Sequence, residues 1–411
     1  MKNWKAINAL FLTTMMLQGL AYGHVNAYLP LYLTELGLSP AEVSAWPGIM
    51  YGVMMGVAFP FAPFWGALAE RYSRRMVVIR AHYFEILAHV VLYFAQDVWW
   101  VLASRVLLGF TYGNGAVVIA TQAMITPRKH VATAIAVVQA AMPIAASIGP
   151  PAGAVLIEYV GLRGLFLIDA GLAVISSLLL TFLMPEPPKS APKGSVMART
   201  GECLALIWNR PVLRWNFMCL FLTVGARGVV DVYLPVRITQ VTTDPAPAIG
   251  AILGIAGVVT AVATLLSGRL ADAHGGIRWL MPLMLLGAAS ILGIAIIPEL
   301  WIIGFLACVR AIPLAAANTI TVAHLTRVLA RENQTVILSL TPMPRNTATF
   351  AFPVLAAALA PFGVGLALVV GALAYALSAL TGWLAHRETP GEIARIQREA
   401  EAEAEAQKPK T

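Results

Sequence analysis

Seven ionisable side chains stand inside stretches that are otherwise apolar: the bases Arg105, Arg227, Arg310 and Arg345, and the acids Glu85, Asp169 and Asp231. A charge at the centre of a bilayer costs roughly 2.5–3.5 kcal/mol on insertion scales, so each needs a partner or a water-filled cavity. A carboxylate in such surroundings is suited to proton carriage. Low dielectric favours its neutral form, and a neighbouring cation favours its charged form. Asp231 and Arg227 lie four residues apart and share one face of a helix. Asp231 is therefore the first choice of proton carrier, with a permanent structural ion pair as the alternative. Glu85 and Asp169 have the same two readings, and Glu85 has a histidine or Arg80 as possible packing partners. Four histidines, His24, His82, His89 and His324, fall nearer the ends of the apolar stretches.

The elements that hold these groups follow from composition. Of 411 residues, 59% are hydrophobic and only 12% charged. Soluble domains are about 45–50% apolar and about 25% charged, so the surrounding solvent is lipid. A span needs roughly 20 apolar residues. Charges, prolines and turn residues divide the chain into twelve, near 5–34, 43–69, 76–96, 98–125, 130–159, 163–184, 213–238, 247–272, 277–297, 299–326, 333–360 and 362–386. The expected fold is an all-α membrane protein, with 12 transmembrane helices in two pseudo-symmetric six-helix bundles. Residues 1–184 form the first bundle, and 185–211, rich in Pro and Lys, link it to the second at 212–386. A charged tail, 387–411, follows.

Charge distribution sets the orientation. With the N-terminus inside, only Arg163 and Arg237 of the 28 lysines and arginines fall in outer loops, and four arginines fall within spans. Basic residues collect on the cytoplasmic side, so both termini are expected in the cytoplasm, at the cell inner membrane. The same distribution explains the net charge of +8 without nucleic acid. Lys2 and Lys5 precede a long apolar run with no small-residue cleavage site, which reads as a retained span. Cys203, Cys219 and Cys308 have no metal-ligand spacing. The chain contains no HExxH, no Gly-rich phosphate loop and no nucleophile elbow, so neither an enzyme nor an ATP-driven pump is expected.

The two halves repeat. Gly23-His24-Val25-Asn26-Ala27-Tyr28-Leu29-Pro30 aligns with Gly228-Val229-Val230-Asp231-Val232-Tyr233-Leu234-Pro235, 205 residues later. Gly66-Ala67-Leu68-Ala69-Glu70 aligns with Gly268-Arg269-Leu270-Ala271-Asp272 at an offset of 202, and Arg105 with Arg310 at 205. Parallel repeats of this kind hold their sites near the membrane midplane, between the halves.

Three motifs, spread over the chain, resemble those of the major facilitator superfamily. Gly66-Ala-Leu-Ala-Glu70-Arg71-Tyr-Ser-Arg74-Arg75 is similar to its G-x-L-a-D-R-x-G-R-R/K loop, with Glu70 for Asp and Ser73 for Gly. Leu102-Ala-Ser-Arg105-Val-Leu-Leu-Gly109 resembles its fourth-span l-x-x-x-R-x-x-x-G signature. Gly149-Pro150-Pro151-Ala152-Gly153 resembles the fifth-span G-P-x-x-G of its drug:proton antiporter branch. The resemblance implies secondary active transport by alternating access, with export of small amphipathic compounds driven by a proton gradient. A dedicated carrier for one metabolite, organic anion or lipid-like substrate is the alternative. It implies a central cavity lined by spans 1, 4, 7 and 10, and a coupling role for Arg105. It also implies a conformational latch at Gly66, Glu70, Arg71, Arg74 and Asp272. Glu70 would meet Arg74 or a nearby helix N-terminus. Candidate substrate contacts are Tyr22, Asn26, Asn114, Gln139, Tyr233, Arg310, Asn318 and Arg345, with Gln18 and Gln122 as further polar candidates. Four arginines against three acids point to neutral, zwitterionic or anionic substrates. The expected partners are a small-molecule substrate, protons and the bilayer. No cofactor, no metal and a monomeric state are expected.

Overall fold

The computed structural model describes residues 4–186, 205, 207–274, 276–329, 337 and 340–406; the side chains of 62–63, 66–67, 70, 268–274, 318, 396 and 399–406 fall outside the description. All regular structure among these residues is helical. The first half comprises α1 (Trp4–Glu35), α2 (Pro40–Arg71), α3 (Arg74–Phe94), α4 (Val98–Gly109), α5 (Asn114–Ile125), α6 (Val131–Gln139) and α7 (Ala141–Leu183). The second comprises α8 (Pro211–Val241), α9 (Pro245–His274), α10 (Leu280–Ile296), α11 (Leu300–Arg327), α12 (Pro342–Leu359) and α13 (Val364–Ala406).

Nine stretches of described residues are long and apolar enough to cross a bilayer. One, Arg128–Leu183, has 56 residues, far beyond the 17–25 or so that a single span uses. It divides at Gly161, where φ is 70° and ψ is 177°. Adding α1 and α12, which are more polar along their length, brings the spans to twelve. The loop expected at 160–162 is thus one residue. Gly161 adopts a conformation open almost only to glycine, so the helix can stop, turn and restart without a linker. The span expected at 98–125 is interrupted at residues 110–113, and the one at 130–159 at Ala140.

Arg345 sits in the first turn of α12, and most of the 333–341 part of the expected 333–360 span lies outside the described residues. The described helix begins at Pro342, and proline is favoured at a first helical position because its missing N–H has no intrahelical partner there. At the other end, α13 runs unbroken past residue 386. Arg210 Nη1 donates to Glu392 Oε1 at 2.8 Å, with both side chains buried. His324 bridges Asn216 Oδ1 and Thr389 Oγ1 at 3.1 and 3.0 Å. The start of the tail is therefore packed onto α8 and α11.

Large aromatic side chains are exposed at both ends of the bundle. Trp99, Tyr159, Trp301 and Phe362 lie at one end, and Tyr72, Trp208, Trp279 and Trp383 at the other. These are the two girdles expected where a bilayer meets water. Arg237, one of the two arginines expected in outer loops, donates to the carbonyls of Ile294 and Ile297 at 3.2 and 3.3 Å. It caps the C-terminal end of α10, where a cation meets the negative end of the helix dipole.

Two glycine stripes join the halves. A side chain added at Gly48 would strike the Pro353 carbonyl and Ala357 of α12; one at Gly52 would strike Val354, and one at Gly56 would meet Phe350. On α9, Gly250 lies against Ala154 and the Pro150 carbonyl, Gly254 against Pro151, and Gly257 against Ser147 of α7. Small residues at this spacing let helix backbones approach closely within a membrane.

The break at Gly161 gives a direct test. A Cβ there meets no atom within 4 Å, so Gly161→Ala is opposed only by backbone strain. It should destabilise by about 1–3 kcal/mol, read as earlier thermal unfolding in detergent. Gly171 is equally open but helical, and Gly171→Ala should leave the unfolding temperature unchanged or raise it. Equal behaviour of the two variants would refute a conformational role for Gly161.

Candidate functional site

A cavity of about 220 Å³ lies between the halves, walled by α1, α2, α4, α8 and α12. Of the residues singled out from sequence, it brings together Tyr22, Asn26, Arg105, Arg227, Asp231 and Arg345. Tyr51, Asn346 and Thr349 complete the polar and aromatic wall beside Pro47, and none of the four was anticipated as a site residue. Tyr51 immediately precedes Gly52 of the α2 stripe, a GxxxGxxxG spacing that was legible and marks that helix as an interface.

The repeat reappears as matched contacts. Arg105 is buried, and its Nη1 donates to Asn26 Oδ1 at 3.2 Å while Nη2 donates to the Val25 carbonyl at 3.3 Å. In the second half, Arg310 is also buried, and its Nη2 stands 3.9 Å from Asp231 Oδ1. The two pairs are related residue for residue by the 205 offset. Asp231 Oδ2 also accepts from Arg227 Nε at 3.0 Å. The Asp231 side chain is 38% exposed and that of Arg227 54%, against 6% for Arg310. The carboxylate thus joins a buried guanidinium to a wetted one. It is open to the cavity and flanked by two cations. Around Arg105, Tyr112 Oη donates to Tyr22 Oη at 3.3 Å, and Tyr51 packs in the same cluster.

Other candidates lie away from the cavity. Glu85 is buried on α3, where Oε2 accepts from Gln18 Nε2 at 3.2 Å and meets His82 Nδ1 at 3.0 Å. Asn114 Nδ2 donates to Gln18 Oε1 at 3.0 Å, so it extends that network instead of facing the cavity. Gln122 bonds Thr126 within α5. Tyr233 is fully buried beside Gly48, where it packs α8 against α2. Gln139 ends α6, is exposed, and does not line the cavity. Arg310 reaches the cavity only through Asp231. The side chain of Asn318 lies outside the described residues. Asp169 is buried on the second segment of α7 and bonds His24 Nδ1 at 2.8 Å. None of the four histidines is a loose span-end group: His24, His82, His89 and His324 are all buried and hydrogen-bonded.

The loop motif between α2 and α3 is only partly visible. The side chains of Gly66, Glu70 and Asp272 fall outside the described residues. Arg71 ends α2, with its guanidinium 5.4 Å from the Tyr72 ring centroid. The Arg74 guanidinium meets Met124, and Arg75 donates to the Thr181 carbonyl. The acid at the α3 N-terminus is Glu186, which sequence reading missed. It accepts from Ser73 Oγ at 2.6 Å and from the Arg74 N–H at 3.0 Å. Ser73 is the N-cap of α3 and accepts from the Met76 N–H at 3.0 Å. Its hydroxyl gives this position a capping role that glycine lacks.

The Gly-Pro-Pro-x-Gly motif lies on α7 between α1 and α9. The Gly149 carbonyl accepts from His24 Nε2 at 3.0 Å, and the Pro150 carbonyl accepts from Tyr28 Oη. A Cβ at Gly153 would stand 2.7 Å from the Tyr28 ring and 2.8 Å from that of His24. The second glycine of the motif is the space these two rings occupy.

Comparison with known proteins agrees with this architecture. A sequence model of the Major Facilitator Superfamily matches residues 11–308. A Lactococcus lactis multi-drug resistance efflux pump, a PmrA homolog, is 26% identical over 90% of this chain and 92% of its own length. The multidrug resistance protein MdtG of Proteus mirabilis is 28% identical over 76% of this chain and 80% of its own. Among solved structures, a bacterial homolog of the human lysosomal transporter Spinster, inward-facing and unoccupied, superposes with a TM-score of 0.74. It has 14% identity and covers 95% of this chain and 99% of that one. The nucleoside transporter NupG gives a TM-score of 0.71 at 13% identity, over 93% and 98%.

The tight fit at Gly153 yields a paired prediction. Gly153→Ala must displace His24 and Tyr28, and overpacking of this kind costs roughly 1–3 kcal/mol. Gly149→Ala meets Leu20 at an ordinary 3.6 Å and should be neutral. Thermal unfolding of the two variants in one detergent checks both. A Gly153→Ala protein as stable as wild type would show that the rings are not held against the motif.

Proposed function

This chain belongs to the major facilitator superfamily and is a multi-pass membrane transporter, not an enzyme, and we propose that it is a proton-coupled antiporter exporting small amphipathic compounds. The observation that carries the reading is Asp231, the one acid in the cavity wall among the described residues, held between Arg227 and Arg310. A carboxylate reachable by water and flanked by cations is a site where protonation changes the local charge balance of the cavity. The antiporter-type motif at Gly149–Gly153 and the multidrug efflux relatives support export as the direction.

Both termini are cytoplasmic in this proposal, and the chain works as a monomer in the inner membrane, with the proton gradient as its energy source and no cofactor. The two glycine stripes then close the outer side. Gly48 and Gly52, near the outer end of α2, and Gly250 and Gly254, near that of α9, hold the halves together there. The cavity wall carries Arg105, Arg227 and Arg345 against Asp231. That balance supports neutral, zwitterionic or anionic substrates over lipophilic cations. A second reading, a dedicated carrier for one small metabolite or organic anion, is favoured by size. The cavity's 220 Å³ lies below the ~300–1,000 Å³ usual for drug-sized sites.

In proteoliposomes with an imposed pH gradient, Asp231→Asn should abolish proton-driven transport while substrate exchange without a gradient continues. The amide oxygen keeps an acceptor for one of the two arginines, and the group no longer titrates. Normal proton coupling in that variant removes Asp231 from the carrier role. A panel of anionic, zwitterionic and cationic amphipaths decides breadth and sign. Acceleration of proton release by one compound alone would establish the dedicated carrier.

A further inference from the structure

His24 is held by two acceptors. Its Nε2 faces the Gly149 carbonyl at 3.0 Å, and its Nδ1 faces Asp169 Oδ1 at 2.8 Å. A carbonyl oxygen can only accept, so Nε2 carries a proton. Nitrogen and oxygen 2.8 Å apart also need a proton between them, whether it resides on the imidazole or on the carboxyl. The pair therefore holds one proton more than a neutral Nε2–H imidazole beside a bare carboxylate. His24 and Asp169 are 2% and 0% exposed, and Asp169 Oδ2 has no partner among the described residues. Removing the shared proton leaves a bare carboxylate against an imidazole lone pair. Moving the remaining N–H to Nδ1 restores that contact but sets an Nε2 lone pair against the Gly149 carbonyl. Either way, one of the two bonds is lost.

The location gives this loss a consequence. His24 ties α1 to both segments of α7, through the Gly149 carbonyl of the antiporter-type motif on the first and the Asp169 carboxylate on the second. The opposite face of that motif packs on Gly250, Gly254 and Gly257 of α9, which is the seam between the halves. Other titratable groups stand on the elements around the pair. Tyr28 on α1 is committed to the Pro150 carbonyl. Glu35 and Arg163 pair with each other at 3.8 Å at the outer ends of α1 and α7, and Glu158 is exposed on α7. On α3, His89 bonds the Glu85 carbonyl, and the Glu85 carboxylate meets His82 and Gln18. On α8, Tyr233 is buried. Residues 245–267 of α9 contain no Asp, Glu, Lys, Arg or His. None of these groups bonds Asp169.

We propose that His24 and Asp169 form a second proton site, separate from the cavity, whose protonation locks the outer seam shut and whose deprotonation releases α7 from α1 so that the seam can open. The inference rests on the proposed proton-coupled antiport and on the orientation given with it. It assigns the pair control over which side is open, and leaves substrate affinity to the cavity. A proton arriving from outside closes the outer side, and its loss to the cytoplasm permits reopening, the order an antiporter needs.

The test is a distance measurement without substrate. Spin labels at Tyr159→Cys and Thr243→Cys report the outer ends of α7 and α9, with Cys203, Cys219 and Cys308 replaced by Ser. The titration takes the otherwise wild-type full chain in nanodiscs from about pH 5 to about pH 9. It should shift the population from the short to the long distance. Asp169→Asn should hold the short distance throughout, because the amide donates to Nδ1 while Nε2 still donates to Gly149. His24→Gln, which removes the imidazole, should also abolish the pH transition and serves if Asp169→Asn does not fold. A seam that stays shut at every pH without either substitution overturns the proposal, as does an unaltered transition in either variant. The antiport reading fails separately, if substrate moves no protons in proteoliposomes while the seam still follows pH.

Discussion

An arginine taken out of water must be given acceptors by its own fold, because its charge cannot be shed by titration. Two such arginines, Arg105 and Arg310, stand at equivalent places in the two halves, and much of the central geometry follows from how each is satisfied. Arg105 is given neutral oxygens, the Asn26 amide and the Val25 carbonyl. Arg310 is given a carboxylate, Asp231, with Arg227 on its far side. The scaffold is repeated, but the chemistry is not. An amide keeps one charge at every pH, whereas a carboxylate has two charge states. A change of protonation is therefore felt in the second half, against an N-terminal half whose equivalent contact stays fixed.

The seam and the cavity share their elements. α2 presents Pro47 and Tyr51 to the cavity, while Gly48, Gly52 and Gly56 abut α12, which supplies Arg345, Asn346 and Thr349. Backbones this close have little room to slide, since a Cβ at several of these glycines would collide. Separation of α2 from α12 would move two walls of the cavity together. Opening the seam and reshaping the cavity are thus one displacement, and side chains that tether α1 to α7 bear on both.

What could be read from sequence was whatever depends on local spacing or composition. The spans follow from apolar run length, the Asp231–Arg227 pair from a separation of four, and the matched arginines from an offset of 205. What was missed depends on partners distant in the chain. His24 meets Asp169 145 residues away and Glu186 caps α3 across 112, and no periodicity signals either contact. Side-chain polarity also misled. Tyr233 aligns with a cavity-side segment yet packs beside Gly48, and Asn114 spends its amide on Gln18. The break at Gly161 looked like a short loop, because a turn of one glycine leaves almost no trace in hydropathy.

The sign of the cavity charge bears on how the proposed export would be coupled. Protonating Asp231 removes the one negative charge in the wall among the described residues and frees Arg227 and Arg310 to hold an anion. By linkage, the anion would then strengthen proton binding, and the two would tend to travel together. A substrate group that needs the Asp231 carboxylate as its acceptor competes with the proton instead, and competition gives exchange. Asp231 alone is therefore matched to zwitterionic or neutral compounds that set a donor against the acid and an acceptor against the arginines. For a purely anionic compound, antiport requires protonation to act somewhere other than the binding wall, on the equilibrium between the two open sides. The buried His24–Asp169 pair, outside the cavity lining and attached to the seam, would meet that requirement.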